Sequence, residues 1–249
     1  MPGQLEGKVA LITGAVRRGG RASAHALARE GAAIVINTRR SREEAETVRS
    51  EIEAMGGRAM VCLTDITDEA AVERMVDAAV QRFGRLDILV NNAADRSVVP
   101  FEKMTAQQWR HIVGIALDGT FFCTRAAIPH MLRGGWGRIV NISGVSHYAP
   151  NYTGRAHVSA AKAGVEGFTR ALAAEYAKRN ITVNCVCPGR VGGERSAGSG
   201  ELPNPDMLPP VGHLGVPEDI AGAVHYFCLP GSSFVTGHTL HVNGGQVLL

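Results

Sequence analysis

The chain has 249 residues, a formal charge of +3, 45% hydrophobic and 20% charged residues, and a mean hydropathy of +0.01. Those values describe a folded globular protein and exclude a disordered or strongly acidic chain. The arginines are spread out apart from local pairs, so no basic stripe for nucleic acid is expected. No single uninterrupted apolar stretch reaches the roughly 18 residues of a membrane span.

In chain order, short apolar runs alternate with helix-period segments. The first predicted strand, Val9–Ile12, runs into a glycine-rich turn, and a helix follows over Arg21–Arg29. Glu6 and the pair Arg17-Arg18 bracket the apolar stretch Val9–Val16, which does not read as a signal peptide. Strands are predicted at Ile34–Asn37, Ala59–Leu63, Leu86–Val90, Arg138–Ile142, Thr182–Val186 and Thr239–Val242. Between them lie amphipathic segments at Arg42–Met55, Glu69–Arg82, Thr105–Leu132, His157–Arg179 and Pro217–Phe227. This alternation predicts one doubly wound α/β domain: a parallel sheet of the Rossmann type with helices on both faces, in three layers. The irregular stretch Gly189–Gly215, rich in Gly, Pro and Ser, follows a strand and is expected to form a substrate loop at the sheet's carboxyl edge. The five cysteines are odd in number and lack C-x-x-C spacing. Reduced thiols, no metal site and a cytoplasmic location are the expectation.

The turn Thr13-Gly14-Ala15-Val16-Arg17-Arg18-Gly19-Gly20 stands where a backbone approaches a pyrophosphate and a helix offers free N–H groups to it. At the end of the second strand a dinucleotide site selective for NAD carries a carboxylate for the ribose 2′-hydroxyl. Here the chain reads Asn37-Thr38-Arg39-Arg40-Ser41, with no acid. Guanidinium groups pair with a 2′-phosphate, so NADP(H) is the expected cofactor, with Arg17 or Arg18 assisting Arg39 and Arg40.

These motifs resemble the short-chain dehydrogenase/reductase family. Gly14 and Gly20 match its T-G-x-x-x-G-x-G turn, with Arg18 in place of the middle glycine. Asp65 matches the acidic residue after the third strand, and Asn91-Asn92-Ala93-Ala94 resembles N-N-A-G. Pro188-Gly189 and Val242-Asn243-Gly244-Gly245 complete the series. The resemblance implies cofactor contacts from Asp65, Ile66, Asn92, Ala93, Pro188, Gly189 and Val191. It also implies a homotetramer paired through the helices Thr105–Leu132 and His157–Arg179 and the C-terminal region, acting on a small molecule without nucleic-acid or membrane partners.

The same resemblance implies a catalytic set of Asn, Ser, Tyr and Lys, and here the chain departs from it. In the Tyr-x-x-x-Lys element Lys162 is present, but Val158 stands in the tyrosine's place. Gly144 stands at the serine position, flanked by Ser143 and Ser146, and Ala116 at the asparagine position. Lys162 is expected to hold the nicotinamide ribose. Ser143 and Tyr152 are the candidates to replace the missing hydroxyls, with His147, Tyr148 and His157 as alternatives in the same loop. Two readings stay open: an oxidoreductase with a different proton source, acting on a carbonyl, imine or activated C=C, or an NADP(H)-binding sensor or partner subunit. A non-redox enzyme on this scaffold ranks third.

Overall fold

The computed structural model describes residues 3–149, 152–193 and 208–248. β1 (Val9–Ile12), β2 (Ala33–Thr38), β3 (Ala59–Leu63), β4 (Ile88–Asn91), β5 (Gly137–Ile142), β6 (Ile181–Pro188) and β7 (Thr239–Val242) form one sheet in the order β3-β2-β1-β4-β5-β6-β7. Every neighbouring pair is parallel. The expected doubly wound sheet is therefore the observed one, and the strand order reverses between β1 and β4. A crevice opens at such a reversal, beyond the carboxyl ends of the strands.

Alternate residues of each strand feed opposite layers, because strand side chains alternate sides. Ala10 and Ile12 join Ile34, Ile36, Leu27 and Phe227 beneath α1 (Arg18–Arg29), α2 (Arg42–Ala54) and α7 (Pro217–Cys228). Val9 and Leu11 join Val35, Met75, Met131 and Val183 beneath α3 (Glu69–Phe83), α5 (Gly119–Gly134) and α6 (Ala156–Tyr176). β1, β2, β4, β5 and nearly all of β6 are buried along their length, which explains their continuous apolar runs.

One long helix was expected over Thr105–Leu132, and the structure divides it. α4 (Ala106–Val113) passes into a π-helical turn at Gly114–Asp118 before α5 begins. The combined run Ala106–Gly134 contains an 18-residue window of mean hydropathy 1.3, and the helix is long and apolar enough to cross a membrane by length and composition alone, although charged residues interrupt it. Its apolar residues Cys123, Ala127, Ile128 and Met131 face the sheet, which accounts for that composition within a packed core. Residues 194–207, the middle of the expected substrate loop, lie outside the described residues. The loop's two ends meet: Gly192 N–H donates to the Gly215 carbonyl at 2.8 Å and Gly215 N–H to the Arg190 carbonyl at 3.0 Å.

Candidate functional site

The crevice at the β1–β4 reversal is a cleft of about 430 Å³. Its first end is built from the β1–α1 turn and the end of β2. That turn is fastened to β4 by Asn92, whose side-chain amide donates to the Thr13 carbonyl at 3.0 Å and the Gly14 carbonyl at 2.9 Å. The Thr13 hydroxyl accepts from the backbone N–H groups of Asn92 and Ala93 at 2.9 and 3.0 Å. A Cβ on Gly20 would stand 2.3 Å from the Gly14 carbonyl oxygen, so only glycine fits there. α1 has no side-chain cap and no acid in its first turn, so its leading N–H groups face the cleft unscreened by a carboxylate.

Arg18 adopts φ 48°, the left-handed region that favours glycine, at the position where the related pattern has its middle glycine. Its guanidinium turns towards the loop ends, donating to the Val191 carbonyl at 2.7 Å and the Gly192 carbonyl at 3.2 Å. Arg17 pairs with Glu44 through two hydrogen bonds. Arg17 is thereby held against the first turn of α2, just past the end of β2. Arg39 and Arg40 are exposed beside Thr38 and Ser41 on the cleft wall, with Arg39 3.7 Å from Asp65.

Of the expected cofactor residues, Gly14, Arg17, Arg18, Thr38, Arg39, Arg40, Ser41, Asn92, Ala93, Lys162, Pro188, Gly189 and Val191 all line the cleft. Gly20, Asn37, Asp65 and Ile66 do not form its wall. Asn37 is buried and ties β2 to β3, donating to the carbonyl of Thr64 at 3.1 Å. Asp65 accepts from the N–H and hydroxyl of Thr67 at 3.0 and 2.7 Å. Ile66 packs against Gly119. The donor set of uncapped N–H groups flanked by Arg39 and Arg40 fits a dinucleotide with a 2′-phosphate.

The second end is built from β4, β5 and the start of α6. Lys162 is buried and its ammonium donates to the Ile142 carbonyl at 2.6 Å. Burial, with a smaller push from the nearby Arg96, lowers its pKa to about 8. Val158, one turn earlier, is 5% exposed and forms cleft wall. Gly144 lines the cleft with extended backbone, and a Cβ there would meet nothing within 4 Å. Ala116 is buried within the π-turn, a rare element often found at functional sites.

Ser143 has a partner that the sequence reading did not foresee. It reaches the cleft wall, but its hydroxyl donates to Glu166 Oε1 at 2.8 Å and so has its hydrogen committed. Glu166 is 2% exposed and also accepts from the Tyr148 hydroxyl, with His147 Nε2 3.2 Å away. Burial pushes its carboxyl pKa up, but the three partners outweigh that and hold it below the ordinary value. Burial and then Glu166 raise the pKa of Tyr148, which keeps the phenol protonated. Tyr152 differs. It lines the cleft, and its oxygen accepts from Gln246 Nε2 at 2.9 Å, which leaves its own hydrogen for another acceptor. His157 is fully buried and does not form cleft wall.

Sequence reasoning missed Glu166, Gln246, Arg96 and Arg155. Only Glu166 carried a local signal: it follows Lys162 by four residues, on the buried face of the same helix.

A family model described as enoyl-(acyl carrier protein) reductase matches residues 14–246. A 3-oxoacyl-(acyl-carrier-protein) reductase of Synechocystis is 36% identical over 98% of both chains. A (2S)-((R)-hydroxy(phenyl)methyl)succinyl-CoA dehydrogenase subunit of Thauera aromatica is 40% identical over 98% of both chains. A crystal structure of a Sinorhizobium meliloti dehydrogenase/reductase superimposes with a TM-score of 0.90 at 34% identity, covering 98% of this chain and 96% of that one.

Proposed function

This chain belongs to the short-chain dehydrogenase/reductase family, and from that premise we propose that it is an NADP(H)-dependent oxidoreductase whose proton source is not the family's tyrosine. It acts on a carbonyl, imine or activated C=C of a small molecule. The observation that carries the reading is the cleft itself: Lys162 keeps its place on the floor while Val158 faces the same space. The cofactor residues are those of the cleft's first end, with Arg39 and Arg40 for the 2′-phosphate and the α1 N-terminus for the pyrophosphate. Bound NADPH would supply the electron pair and hydrogen for reduction.

What remains for the protein is to orient the substrate and deliver one proton. Lys162, fixed by the Ile142 carbonyl, is the ribose-binding cation. Tyr152 is the proton donor: its Oη carries a hydrogen not spent on Gln246, and Gln246 holds the phenol at the cleft. The proton passes from Tyr152 Oη to the substrate oxygen, or to carbon or nitrogen in an activated substrate, and solvent restores it. Ser143 is a positioning residue, because its hydroxyl serves Glu166.

The test is NADPH oxidation against ketones, enones and imines at high protein concentration. Tyr152→Phe should lower the rate ~10²-fold with NADPH binding intact. A rate unchanged by that substitution removes Tyr152 as the donor. No turnover by the wild type, with NADPH still bound, favours a cofactor-binding sensor or partner subunit.

The proposal includes one folded unit over the whole chain with residues 189–215 as its substrate loop. It also includes a cytoplasmic location, which the five free cysteines favour. A homotetramer completes it. Trp109 on α4 and Phe121 on α5 are 38% and 41% exposed, as a helix-pairing face would need. Light scattering at micromolar concentration should return four chains, and a monomer removes this part.

A further inference from the structure

The turn after β7 reaches the second end of the cleft through one side chain. The Gln246 amide joins two segments far from it in sequence. Its Oε1 accepts from the Arg190 backbone N–H at 3.2 Å, and its Nε2 donates to Tyr152 Oη at 2.9 Å. The turn is braced on both sides of Gln246. Asn243 is buried; its Oδ1 accepts from the Gly245 N–H at 2.9 Å and its Nδ2 donates to the Val247 carbonyl at 3.0 Å. The Gln246 N–H donates to the Asn243 carbonyl at 3.1 Å. A Cβ on Gly189 would stand 2.6 Å from Asn243 and 3.0 Å from Gln246 Oε1, so glycine alone admits the turn at this distance.

A side-chain amide has an accepting end and a donating end, and its partners decide which is which. A backbone N–H can only donate. Arg190 therefore fixes Oε1, and the end turned to Tyr152 is the donor. The phenol oxygen receives that hydrogen bond, and the phenol's own hydrogen points away from Gln246. With the amide reversed, two N–H groups would oppose each other at Arg190, and Tyr152 would spend its hydrogen on Oε1.

We propose that Gln246 is a positioning residue that sets the direction of the hydrogen bond at Tyr152, so that the phenol faces the substrate as a donor. This rests on the reading of Tyr152 as the proton source. When the phenol O–H bond breaks, its electron pair stays on Oη and the proton bonds to the substrate. The Gln246 N–H is already aimed at the oxygen where that charge develops, and it stabilises the charge until solvent returns a proton. The Arg190 backbone acts at one remove, by holding the amide.

The experiment compares Gln246→Glu with Gln246→Leu in the full-length protein. Glutamate keeps the shape and still accepts from Arg190, but it offers Tyr152 an acceptor and draws the phenol's hydrogen away from the substrate. Leucine removes both bonds and leaves that hydrogen available. NADPH oxidation should fall ~10²-fold in Gln246→Glu, as in Tyr152→Phe. It should fall roughly tenfold in Gln246→Leu, the worth of one hydrogen bond, with NADPH binding unchanged in both. A residue that only supports the fold would give the reverse order, since leucine loses more contacts. Carbon NMR of protein labelled at tyrosine Cζ reads the same bond without turnover. The chain has four tyrosines, and the Tyr152 signal is the one lost in Tyr152→Phe. It should move towards the phenolate position in Gln246→Glu. A loss in Gln246→Leu equal to or greater than that in Gln246→Glu overturns the inference, and so does a Cζ signal that Gln246→Glu does not move. If the wild type turns nothing over, or Tyr152→Phe leaves the rate unchanged, while the Cζ signal still moves, the donor reading falls and the polarity set by Gln246 stands.

Discussion

The two ends of the cleft are built on different principles. The first, at β1 and β2, is made largely of backbone: an uncapped helix start and a glycine turn fastened by Asn92 to β4, with exposed Arg39 and Arg40 at its rim. The second, at β4, β5 and α6, is made of side chains that are mostly buried: Lys162, Val158, Arg155 and Ser143. Backbone groups survive substitution, so the geometry of the nucleotide end depends less on any one side chain. A buried side chain is changed outright by one substitution, so the reacting end can lose its usual groups while the fold and the first end persist. The proposed function therefore predicts that cofactor binding and proton delivery can be altered separately in this protein.

The sharpest break would come from rebuilding the second end alone. Val158→Tyr combined with Gly144→Ser and Ala116→Asn should raise ketone reduction ~10²-fold or more, since one well-placed general acid contributes that much. Open space around a Gly144 Cβ admits the serine, whereas Ala116 is buried and its replacement is the tightest fit of the three. NADPH oxidation measures it. A wild type that already reduces simple ketones rapidly, and still does so after Tyr148→Phe, Tyr152→Phe and His157→Ala together, defeats this account of the second end.

Removing a rim cation tests the first end. Arg39→Ala should weaken NADPH by ~1.5–3 kcal/mol, the worth of a hydrogen bond to a charged group, and leave NADH unchanged. Calorimetry with both nucleotides decides it, and NADH binding as tightly as NADPH in the wild type would sink the assignment.

A further effect, spread over a pH range, is a titration at the second end. The folded pKa of Lys162 is lowered to about 8 from the ordinary 10.5, chiefly by burial. Below about 8 both folded and unfolded chains hold the proton, and the folded state bears the whole cost of the buried charge. Between about 8 and 10.5 the folded chain releases it first, so the unfolded chain binds more protons and stability rises with pH. The slope from this group approaches ~1.4 kcal/mol per pH unit in that window. Urea unfolding from pH 7.5 to 10 should show this rise relative to Lys162→Met, and parallel profiles for the two proteins would refute it.

Much of the first end was legible in the sequence because its determinants are local. The strand Val9–Ile12, the glycine turn and the acid-free segment Thr38–Ser41 each lie within a few residues. The expected strands all lie within two residues of the observed ones at both ends. The break at Gly114–Asp118 was not read from the sequence, although Gly114 opens it and Asp118-Gly119 closes it, because no proline interrupts the run there. At the second end, Val158, Gly144 and Ala116 could be read as departures from the related pattern, but the partners of Ser143 and Tyr152 could not. Ser143 looked like a spare hydroxyl until Glu166 was found 23 positions away in sequence and 2.8 Å away in space.

The amino-acid sequence by itself determined the doubly wound sheet, the place of the phosphate turn and the cations at the end of β2, since alternating apolar periods and turn residues act over short range. Only the tertiary structure decided where hydrogens and charges are spent. Arg18 reaches the Val191 carbonyl across 173 positions, Gln246 holds Tyr152 across 94, and Arg96 and Arg155 arrive at one wall from different elements. Hydrogen bonds and burial depend on distances that the folded chain sets, and no local pattern of residues encodes them.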